Sequence, residues 1–566
     1  MIGDFHNHTT FTDGSYPMND LTGPTTITPF AVSDTSGLYK QGTAPTAFRN
    51  GLGFFTNSEH GGIQSRDGFG RNWTDTTVYP TLPAIGDPTN GKMWRWQSLI
   101  RTSDIPFYAG PAYMGAYDWI ESIRANYPDK IVITGMEWNV PGHEHASTAI
   151  AADNALPIAE FEYRFDNSDT DGTTTTTTAT IMGWDGKVQS SSYTSPAYPD
   201  YSAVLAQNAK HNKTLDGVKW MQANYPATGY LIPAHVERAG CGVGGWSIAA
   251  FRDMNDNGPS VAFGFEGIPG HDKSSNRGEF GTGACGGGTY GGAGTYIATV
   301  GGLWDNLLAD GRKFFNFDSS DFHSTSSDFW PGEYEKTYVK VKDASGDGVY
   351  AQEDVINGLR SGNAFSVHGD LINKLYFRVF HGAPSGDSSA TMGETLSVGK
   401  GEKITVQIRF RTPDSNNCQA GINASGSYVC APPAVHHVQL IQGRINPTRA
   451  NKFLADGVTP NPAFNAIDST VAGIVETFDA SSWSIDDEGF TTMTFVVPHV
   501  RNSMFFRIRG TNLGYGVSKM DATNTKIVYG TDAAGSPLLN TPGTNNADMA
   551  WDDLWFYSNP IFVKVL

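Results

Sequence analysis

Short apolar runs alternate with amphipathic stretches over residues 1–372. The stretch 117–127 places Trp119, Ile120 and Ile123 on one helical face, and the apolar strand 131–133 follows directly. The same succession of helix and strand recurs at 215–225 with 230–232, at 303–308 with 314–315, and at 355–359 with 364–365. This repeated alternation predicts a parallel α/β architecture, most simply a TIM-like β/α barrel.

Two segments interrupt this pattern. Residues 61–115 are rich in Trp, Gly and Pro, and residues 165–200 contain the threonine run 173–178. Long stretches without helical or strand periodicity are uncommon inside compact domains. Both segments are therefore predicted to be insertions over loops of the barrel.

The pattern changes at about residue 373, where helical periodicity disappears. Short runs of β-branched and aromatic residues are separated by turn residues and predict strands at 375–379, 404–408, 438–441, 494–497 and 505–508. Residues 373–566 are accordingly predicted to form an all-β sandwich domain. The segment 559–563 is predicted to be its closing edge strand.

Length and charge restrict the function classes. A chain of 566 residues is expected to form two to four domains, at roughly 100–200 residues per domain. A net charge of −18 disfavours a nucleic-acid scaffold role or binding to an anionic membrane surface. No apolar run reaches the length of about 18 residues that a membrane span needs. The sequence does not indicate the oligomeric state.

The cysteines bear on the cellular compartment. Residues 1–5 contain neither a positive segment nor an apolar signal core, so the chain is either cytoplasmic or has lost a signal peptide. The cysteines fall into two groups, Cys241 with Cys285 and Cys418 with Cys430, in loop-like stretches that lack metal-binding Cys-x-x-Cys spacing. Disulfides in a periplasmic or secreted protein are the preferred interpretation, with free thiols as the alternative. The sequence leaves their connectivity open.

The 14 histidines provide the strongest chemical signal because their positions are far from uniform. The opening strand leads into His6 and His8, with Asp13 five residues later. Histidines at i and i+2 of an extended backbone lie on one face, so both imidazoles can reach the same metal ions.

Further candidates follow later apolar runs in the same way. They are Glu59, His60, Glu137, His143, His145, His235, Arg238, Asp321 and His323. In a β/α barrel the carboxyl ends of the strands meet at one mouth, where catalytic residues gather. Many histidines and carboxylates at one mouth would be costly to bury without cations. Imidazole and carboxylate together are common ligands of zinc, manganese or iron.

These motifs resemble those of the PHP (polymerase and histidinol phosphatase) metallohydrolases. The resemblance covers residues 1–370 and is carried, in the family order, by the segments 4–14, 58–60, 135–137, 234–235 and 320–323. It implies a distorted barrel that holds two or three divalent metal ions. The implied ligands are His6, His8, Glu137, Asp321 and His323, with His60, His235 and either His143 or His145, and Glu137 is the implied bridging carboxylate.

Some positions depart from the family pattern. Glu59 stands where aspartate is common, so its role as a ligand is open, and Val236 replaces a common proline after His235. The attached β domain and the lack of nucleotide-binding features indicate the exported, carbaryl-hydrolase-like branch rather than the polymerase or histidinol phosphatase branches.

The expected function is that of a multinuclear metal-dependent hydrolase. Clustered divalent ions supply hydroxide at neutral pH and clamp the oxygens of a transition state, with Glu137 and Asp321 as catalytic candidates. Arg238 is placed either to stabilise a developing anion or to form a structural salt bridge. A small-molecule phosphoester, of the phosphodiester or organophosphate type, is the leading substrate. The alternatives are a carboxyl ester or carbamate at the same metals, and a carbohydrate- or surface-binding protein.

Three weaker signals remain. The segment Asp343–Asp354 has the spacing of a calcium loop, but a turn that caps a helix from about Gln352 is the preferred interpretation. His271 and His368 also follow apolar runs and are secondary candidates for the site. His436, His437 and His499 lie in the β domain and are expected to be structural or exposed.

Overall fold

The structure is a computed structural model of the chain. It describes residues 1–18, 51–73, 75–78, 95–106, 113–168, 181–185, 210–238, 245–273, 278, 293–324, 326–384, 388–418, 430–515, 518–520, 527–529 and 547–566. The threonine run 173–178 and the cysteines Cys241 and Cys285 lie outside these residues.

The first part of the chain mixes strands and helices. Its strands are β1 (Ile2–Asp4), β2 (Phe54–Asn57), β3 (Ile131–Trp138), β4 (Ala146–Ile150), β5 (Gly229–Pro233), β6 (Gly264–Ile268), β7 (Phe315–Asp318), β8 (Glu335–Val339) and β9 (Ala364–His368). Its helices are α1 (Arg95–Leu99), α2 (Ala116–Asn126), α3 (Leu156–Phe165), α4 (His211–Asn224), α5 (Ile248–Asn257), α6 (Thr295–Ala298), α7 (Leu303–Ala309) and α8 (Gln352–Ser361).

The predicted helix–strand pairs are all present, and α2 shows why the pattern works. Its Trp119, Ile120 and Ile123 are buried, as the 3.6-residue period requires. The carboxylate of Asp118 accepts a hydrogen bond from the backbone N–H of Gly115 at 2.9 Å and caps the first turn. Arg124 in the last turn donates to the carbonyl oxygen of Val132 and ties the helix to β3.

The sheet of this region is mixed rather than wholly parallel. Strands β1, β2 and β3 are parallel neighbours, but β4 pairs antiparallel with both β3 and β5, and β8 pairs antiparallel with both β1 and β9. The expectation of a wholly parallel sheet was therefore wrong at β4 and β8. A short turn after β3 lets β4 fold back beside it, and neither β4 nor β8 has a long apolar run that would reveal it.

Strands β6 and β7 form a separate parallel pair. Within the described residues no backbone ladder joins β5 to β6 or β7 to β9. Individual hydrogen bonds lie at these gaps instead: the N–H of Leu231 on β5 donates to the carbonyl oxygen of Val261, just before β6, and Nδ2 of Asn316 on β7 donates to Oγ of Ser366 on β9. The described fold is thus a mixed α/β arrangement without a detected closed barrel.

The second part of the chain is dominated by antiparallel strands. They are β10 (Lys374–His381), β11 (Ser389–Thr391), β12 (Thr395–Val398), β13 (Ile404–Arg411), β14 (His437–Arg444), β15 (Ala472–Asp479), β16 (Ser484–Ile485), β17 (Phe490–Val497), β18 (Met504–Thr511), β19 (Ser518–Met520), β20 (Ile527–Tyr529), β21 (Trp555–Ser558) and β22 (Ile561–Val565), with α9 (Ala547–Asp552) before β21. Short 3-10 helices span Thr102–Asp104 and Pro462–Asn465.

One antiparallel sheet has the order β11-β10-β13-β17-β16, while β12, β22, β18, β21, β14 and β15 belong to the large sheet. Side chains from both sheets, among them Val379, Ile408, Leu440 and Ile508, form one buried cluster. Alternate residues of β10 are exposed, as expected for a strand with one face on a core. A separate antiparallel sheet in this region is therefore present, as the strand pattern predicts.

The last strand corrects one prediction. Strand β22 is not an edge, because it pairs with β12 on one side and with β18 on the other. Its Ile561, Phe562 and Val563 are all buried, as a central strand requires. Strand β21 pairs with β9, so one continuous sheet crosses the predicted domain boundary near residue 372.

Other features concern the insertion, the cysteines and membranes. The described part of segment 61–115 contributes Phe69, Trp73 and Trp96 to the main buried cluster. Cys418 and Cys430 form a disulfide, which is compatible with an extracellular protein. None of the described helices is long and apolar enough to cross a membrane.

Candidate metal centre

The strand ends bring the predicted site residues together. His6 and His8 follow β1, His60 follows β2, Glu137 is the penultimate residue of β3, and Asp321 follows β7. Isolated β-bridges, Asn7 with Phe322 and His60 with Glu137, fix the loops against each other. Because β1, β2 and β3 run parallel, their carboxyl ends meet at one edge, which explains the convergence.

Glu137 lies at the middle of the cluster. Its Oε1 is 2.7 Å from Nδ1 of His145, 2.8 Å from Nε2 of His235 and 3.2 Å from Nε2 of His6. Its Oε2 is 2.5 Å from Nδ1 of His60. A single buried carboxylate therefore contacts imidazoles from the ends of several strands, as a bridging ligand would.

Asp321 forms a second centre beside it. Its Oδ1 is 3.0 Å from Nε2 of His8 and 3.2 Å from Nε2 of His6, and its Oδ2 is 2.8 Å from Nε2 of His271. His271, a secondary candidate in the sequence, thus belongs to the cluster. Its other nitrogen, Nδ1, is 2.5 Å from Oδ1 of the buried Asp328, which orients the ring.

The open side of the cluster is formed by Asp13 and His323. The Asp13 side chain is 49% exposed, and its carboxylate lies 3.2 Å from Nε2 of His60 and 3.5 Å from Nε2 of His323. The ring of His323 stacks on that of His8 at 4.0 Å between centroids. This side of the cluster is open to solvent, whereas the carboxylates of Glu137 and Asp321 are buried.

Backbone strain is concentrated at the site. His235, His271 and Asp321 have φ angles of 29°, 62° and 42°, in a region that residues with a Cβ rarely occupy. Such conformations cost on the order of 1–3 kcal/mol each and persist where the surroundings fix them. All three residues border the cluster, so the surrounding structure holds its side chains in place against this strain.

The donor atoms fit metal ions. Sets that lie close enough to share an ion include His8 with Asp13, His60 and His323; His6 with His235 and Asp321; His6 with His8 and Glu137; and His60 with Glu137 and His145. The Nε2 atoms of His6 and His8 are only 3.3 Å apart. Oε2 of Glu137 and Oδ2 of Asp321 are buried, and their close contacts with His60 and His271 lack hydrogen-bond geometry. A cation would satisfy these inward-facing lone pairs.

The close packing of carboxylates and imidazoles shifts their pKa values strongly, and in different directions for different residues. Burial opposes ionisation of Glu137, but His145, His60 and His6 hold its pKa well below its ordinary range. Burial, with the adjacent His323 and His60, lowers the pKa of His8 to about 3. For His60, burial is outweighed by Glu137 and Asp13, which raise its pKa to about 10. Carboxylates that stay ionised and a neutral His8 are suitable metal ligands.

The structure decides between the two histidines that compete for one position. His145 contacts Glu137, whereas His143 points away from it: its Nδ1 is 3.0 Å from the carbonyl oxygen of Gly245 and its Nε2 is 2.7 Å from Nδ1 of His211. The antiparallel return of β4 explains the difference, since it carries the chain back along β3 from His145. His143 thus packs on Trp246 outside the contacts of Glu137, and His145 is the one of the two histidines that joins the cluster.

Glu59 also departs from the prediction. Its buried carboxylate accepts hydrogen bonds from the backbone N–H and hydroxyl of Thr9 and, at 2.5 Å, from the hydroxyl of Thr12. Both oxygens are thus used to hold the loop that follows His8. Burial, against these hydrogen bonds, raises the pKa of Glu59 to about 7. We assign Glu59 to the support of this loop rather than to the ligands.

Glu266 and Glu144 are site residues that the sequence pattern missed. Oε1 of Glu266 is 3.2 Å from Nδ1 of His6, and its Oε2 accepts the backbone N–H of His235 at 3.0 Å. Oε2 of Glu144 is 3.5 Å from Nδ1 of His235. One feature of the sequence could have revealed Glu266. It is an acid inside the apolar stretch 261–268, and a buried acid requires a partner.

Arg238 borders the cluster. Its Nη2 lies 3.1 Å from Nε2 of His235 and 3.7 Å from Glu144, and its Nη1 is 3.9 Å from Oδ2 of Asp321. The guanidinium is 26% exposed, so it faces both the cluster and solvent. Its position is compatible with the anion-binding role and with the salt-bridge role.

The segment Asp343–Asp354 follows the preferred helix-cap interpretation. Asp343 accepts the backbone N–H groups of Gly346 and Gly348, each at 2.7 Å. Asp354 accepts those of Ala344 and Ala351 at the start of α8. The acids that a calcium loop would use are thus occupied by backbone donors.

Comparison with protein-family models gave no match for this chain. Searches among curated proteins and among solved structures also gave none. The geometry of the cluster is therefore the basis for inferring function.

Proposed function

We propose that this protein is a multinuclear metal-dependent hydrolase of the PHP type that uses two or three divalent ions, zinc, manganese or iron. The observation that carries the proposal is the buried Glu137 carboxylate, whose oxygens contact His6, His60, His145 and His235. Under this proposal the surrounding strands correspond to a distorted barrel. Bound divalent ions would lower the pKa of a coordinated water and polarise the oxygens of an ester.

The residues of the chain have distinct roles in this proposal. His6, His8, Glu137, His235 and Asp321 hold the ions on the buried floor, with Asp13, His60, His145 and His323 on the more open side. His271, oriented by Asp328, fixes the second carboxylate oxygen of Asp321. Glu266 orients His6 through Nδ1 and leaves Nε2 directed into the cluster.

A phosphoester is the favoured substrate class, of the phosphodiester or organophosphate type. The guanidinium of Arg238 borders the cluster from a half-open position, where it can bind an anionic phosphoryl oxygen in addition to the metal ions. A neutral carboxyl ester or carbamate uses the same metals but needs Arg238 less. The disulfide Cys418–Cys430 supports a periplasmic or secreted location.

The rival of a carbohydrate- or surface-binding protein has less support. The β domain and the Trp-rich segment 93–96 suggest this rival, but Trp96 is buried in the main core and Trp94 lies outside the described residues. A buried indole cannot stack on a sugar.

The test is a substrate panel with the full chain loaded with Mn²⁺ or Zn²⁺. Nitrophenyl phosphate, bis(nitrophenyl) phosphate and nitrophenyl acetate should be compared, and the diester should be turned over fastest. Glu137→Gln should lower the rate by more than the roughly 10–100-fold that the loss of a residue behind the ligands costs. The exposed-strand variant Glu476→Gln is the matched control. Metal-loaded protein that hydrolyses none of the three would contradict the proposal.

A further inference from the structure

A second cluster of buried acids lies apart from the proposed ligands. Asp272 follows β6, Asp318 ends β7, Glu335 begins β8 and His368 ends β9. All four side chains are buried. The termini of four strands thus place three carboxyl groups and one imidazole together in the interior.

Two independent features bring the members together. Nε2 of His368 is 3.8 Å from Oδ2 of Asp272 and 3.8 Å from Oδ2 of Asp318. Glu335 is the antiparallel register partner of His368 in the β8–β9 ladder, so their backbones are direct neighbours. The ring of Tyr334 stacks on His368 at 5.0 Å and covers the imidazole.

The carboxylates of Asp318 and Glu335 have unusual surroundings. The backbone of Lys336 adjoins the carboxyl of Asp318, and the carboxyl of Asp272 adjoins that of Glu335. Within the described residues, however, no donor reaches any of the four oxygens of Asp318 and Glu335 with hydrogen-bond geometry, although both side chains are fully enclosed. Buried polar groups in proteins nearly always have such partners. Four unbonded carboxyl oxygens in one cluster therefore point to an occupant that supplies positive charge.

Two lysines lie near the cluster. Lys336 donates to Asp370. The Nζ of Lys273 lies 4.8 Å from the centre of the Phe329 ring and attracts Glu333, Glu335 and Asp328, so a single ammonium group acts on three carboxyl groups. Burial and mutual repulsion raise the pKa of Asp318 and Glu335 well above the ordinary range of carboxyl groups. The cluster must therefore take up either protons or a cation.

We propose that Asp272, Asp318, Glu335 and His368 bind one divalent cation that is separate from the ions of the histidine cluster. Carboxylates suit Mg²⁺, Ca²⁺ and Mn²⁺, and an imidazole in the same set favours Mn²⁺ among these. Asp318 precedes Asp321 by three residues, and Asp272 follows His271. The cation would fasten together the two loops that present the His271–Asp321 contact, so its role is structural.

Mn²⁺ alone is the probe for the test. The full chain is dialysed against Mn²⁺ near neutral pH, and the ions per chain are counted in the wild type, in Asp318→Asn/Glu335→Gln and in Glu137→Gln. The double variant should hold one ion fewer than the wild type and have a lower Tm in Mn²⁺. Glu137→Gln should retain this ion, so failure of the histidine cluster is distinguishable from failure of this site.

Equal Mn²⁺ counts in the wild type and the double variant would overturn the proposal and assign protons to the cluster. Should the double variant not fold, crystals of the wild type grown with Mn²⁺ give a second measurement. An anomalous peak between Asp318 and Glu335 supports the site. A featureless map there, in crystals that show manganese at Glu137, overturns it.

Discussion

Oε1 of Glu137 lies 2.7 Å from Nδ1 of His145, and the two residues are carried by adjacent antiparallel strands, β3 and the start of β4. This hairpin is the part of the site that the parallel strands alone do not explain. It returns the chain to the cluster after only a few residues and adds an imidazole to the carboxylate that β3 provides.

The hairpin leads to a prediction that uses two neighbouring histidines. His145→Gln should lower the metal content and slow hydrolysis strongly, because it removes an imidazole from Glu137. His143→Gln should retain both, because His143 faces Gly245 and His211. Elemental analysis and initial rates measure the two effects. Equal losses in both variants would show that the assignment to His145 is wrong.

Gly270 provides a prediction about the close packing of two site loops. A Cβ at this position would overlap the backbone carbonyl of Ser320, next to Asp321. Gly270→Ala must therefore push apart the loops that carry His271 and Asp321, and it should destabilise the protein by about 3 kcal/mol. Thermal unfolding measures the change. Gly473→Ala is the control, because a Cβ added there would meet no atom within 4 Å; a matching Tm in both variants would contradict the prediction.

Sequence pattern was sufficient for the site residues that directly follow apolar strands. The runs before His60, His235 and Asp321 identify the strand ends, and parallel strands place their ends at one edge. The sequence pattern failed where two candidate residues lie too close in the sequence to be distinguished. His143 and His145 both follow β3, and only the turn into β4 determines which imidazole reaches Glu137.

The remaining errors concern long-range pairing. In the sequence, strand β22 is an apolar run near the end of the chain. Its own residues do not indicate that β12 and β18 flank it. Glu266 was missed because an acid inside a buried strand interrupts the apolar pattern on which strand prediction depends. Its stabilising partners, His6 and the N–H of His235, come from distant parts of the chain.

The buried pair Asp305–Arg507 gives a prediction about the junction between the two parts of the chain. Arg507 on β18 donates from Nε and Nη2 to both carboxylate oxygens of Asp305 on α7, at 2.6 and 2.8 Å. Arg507→Met leaves Asp305 as a buried unpaired charge, and the expected loss of stability is about 3–5 kcal/mol. Unfolding monitored by circular dichroism measures this loss.

The controls for this junction separate charge from packing. Asp305→Asn/Arg507→Met should be more stable than Arg507→Met alone, because the unpaired charge is gone. Arg444→Met, at an exposed residue of β14, should have little effect. A double variant that is no better than the single one would show that the packing of the arginine on Trp304 dominates.

His437 on β14 predicts how stability depends on pH. Burial, followed by the nearby His436 and Arg509, lowers its pKa from 6.5 to about 4 against the attraction of Asp479. The folded protein therefore binds this proton less readily than the unfolded chain does. Its contribution to stability is complete above pH 6.5 and is lost as the pH falls towards 4, by an amount on the order of 3 kcal/mol.

In His437→Gln the fall in Tm between pH 7 and pH 5 should be smaller than in the wild type. His499→Gln, at an exposed histidine, should keep the wild-type dependence. The assignment is wrong if the wild type and His437→Gln lose the same Tm over this interval.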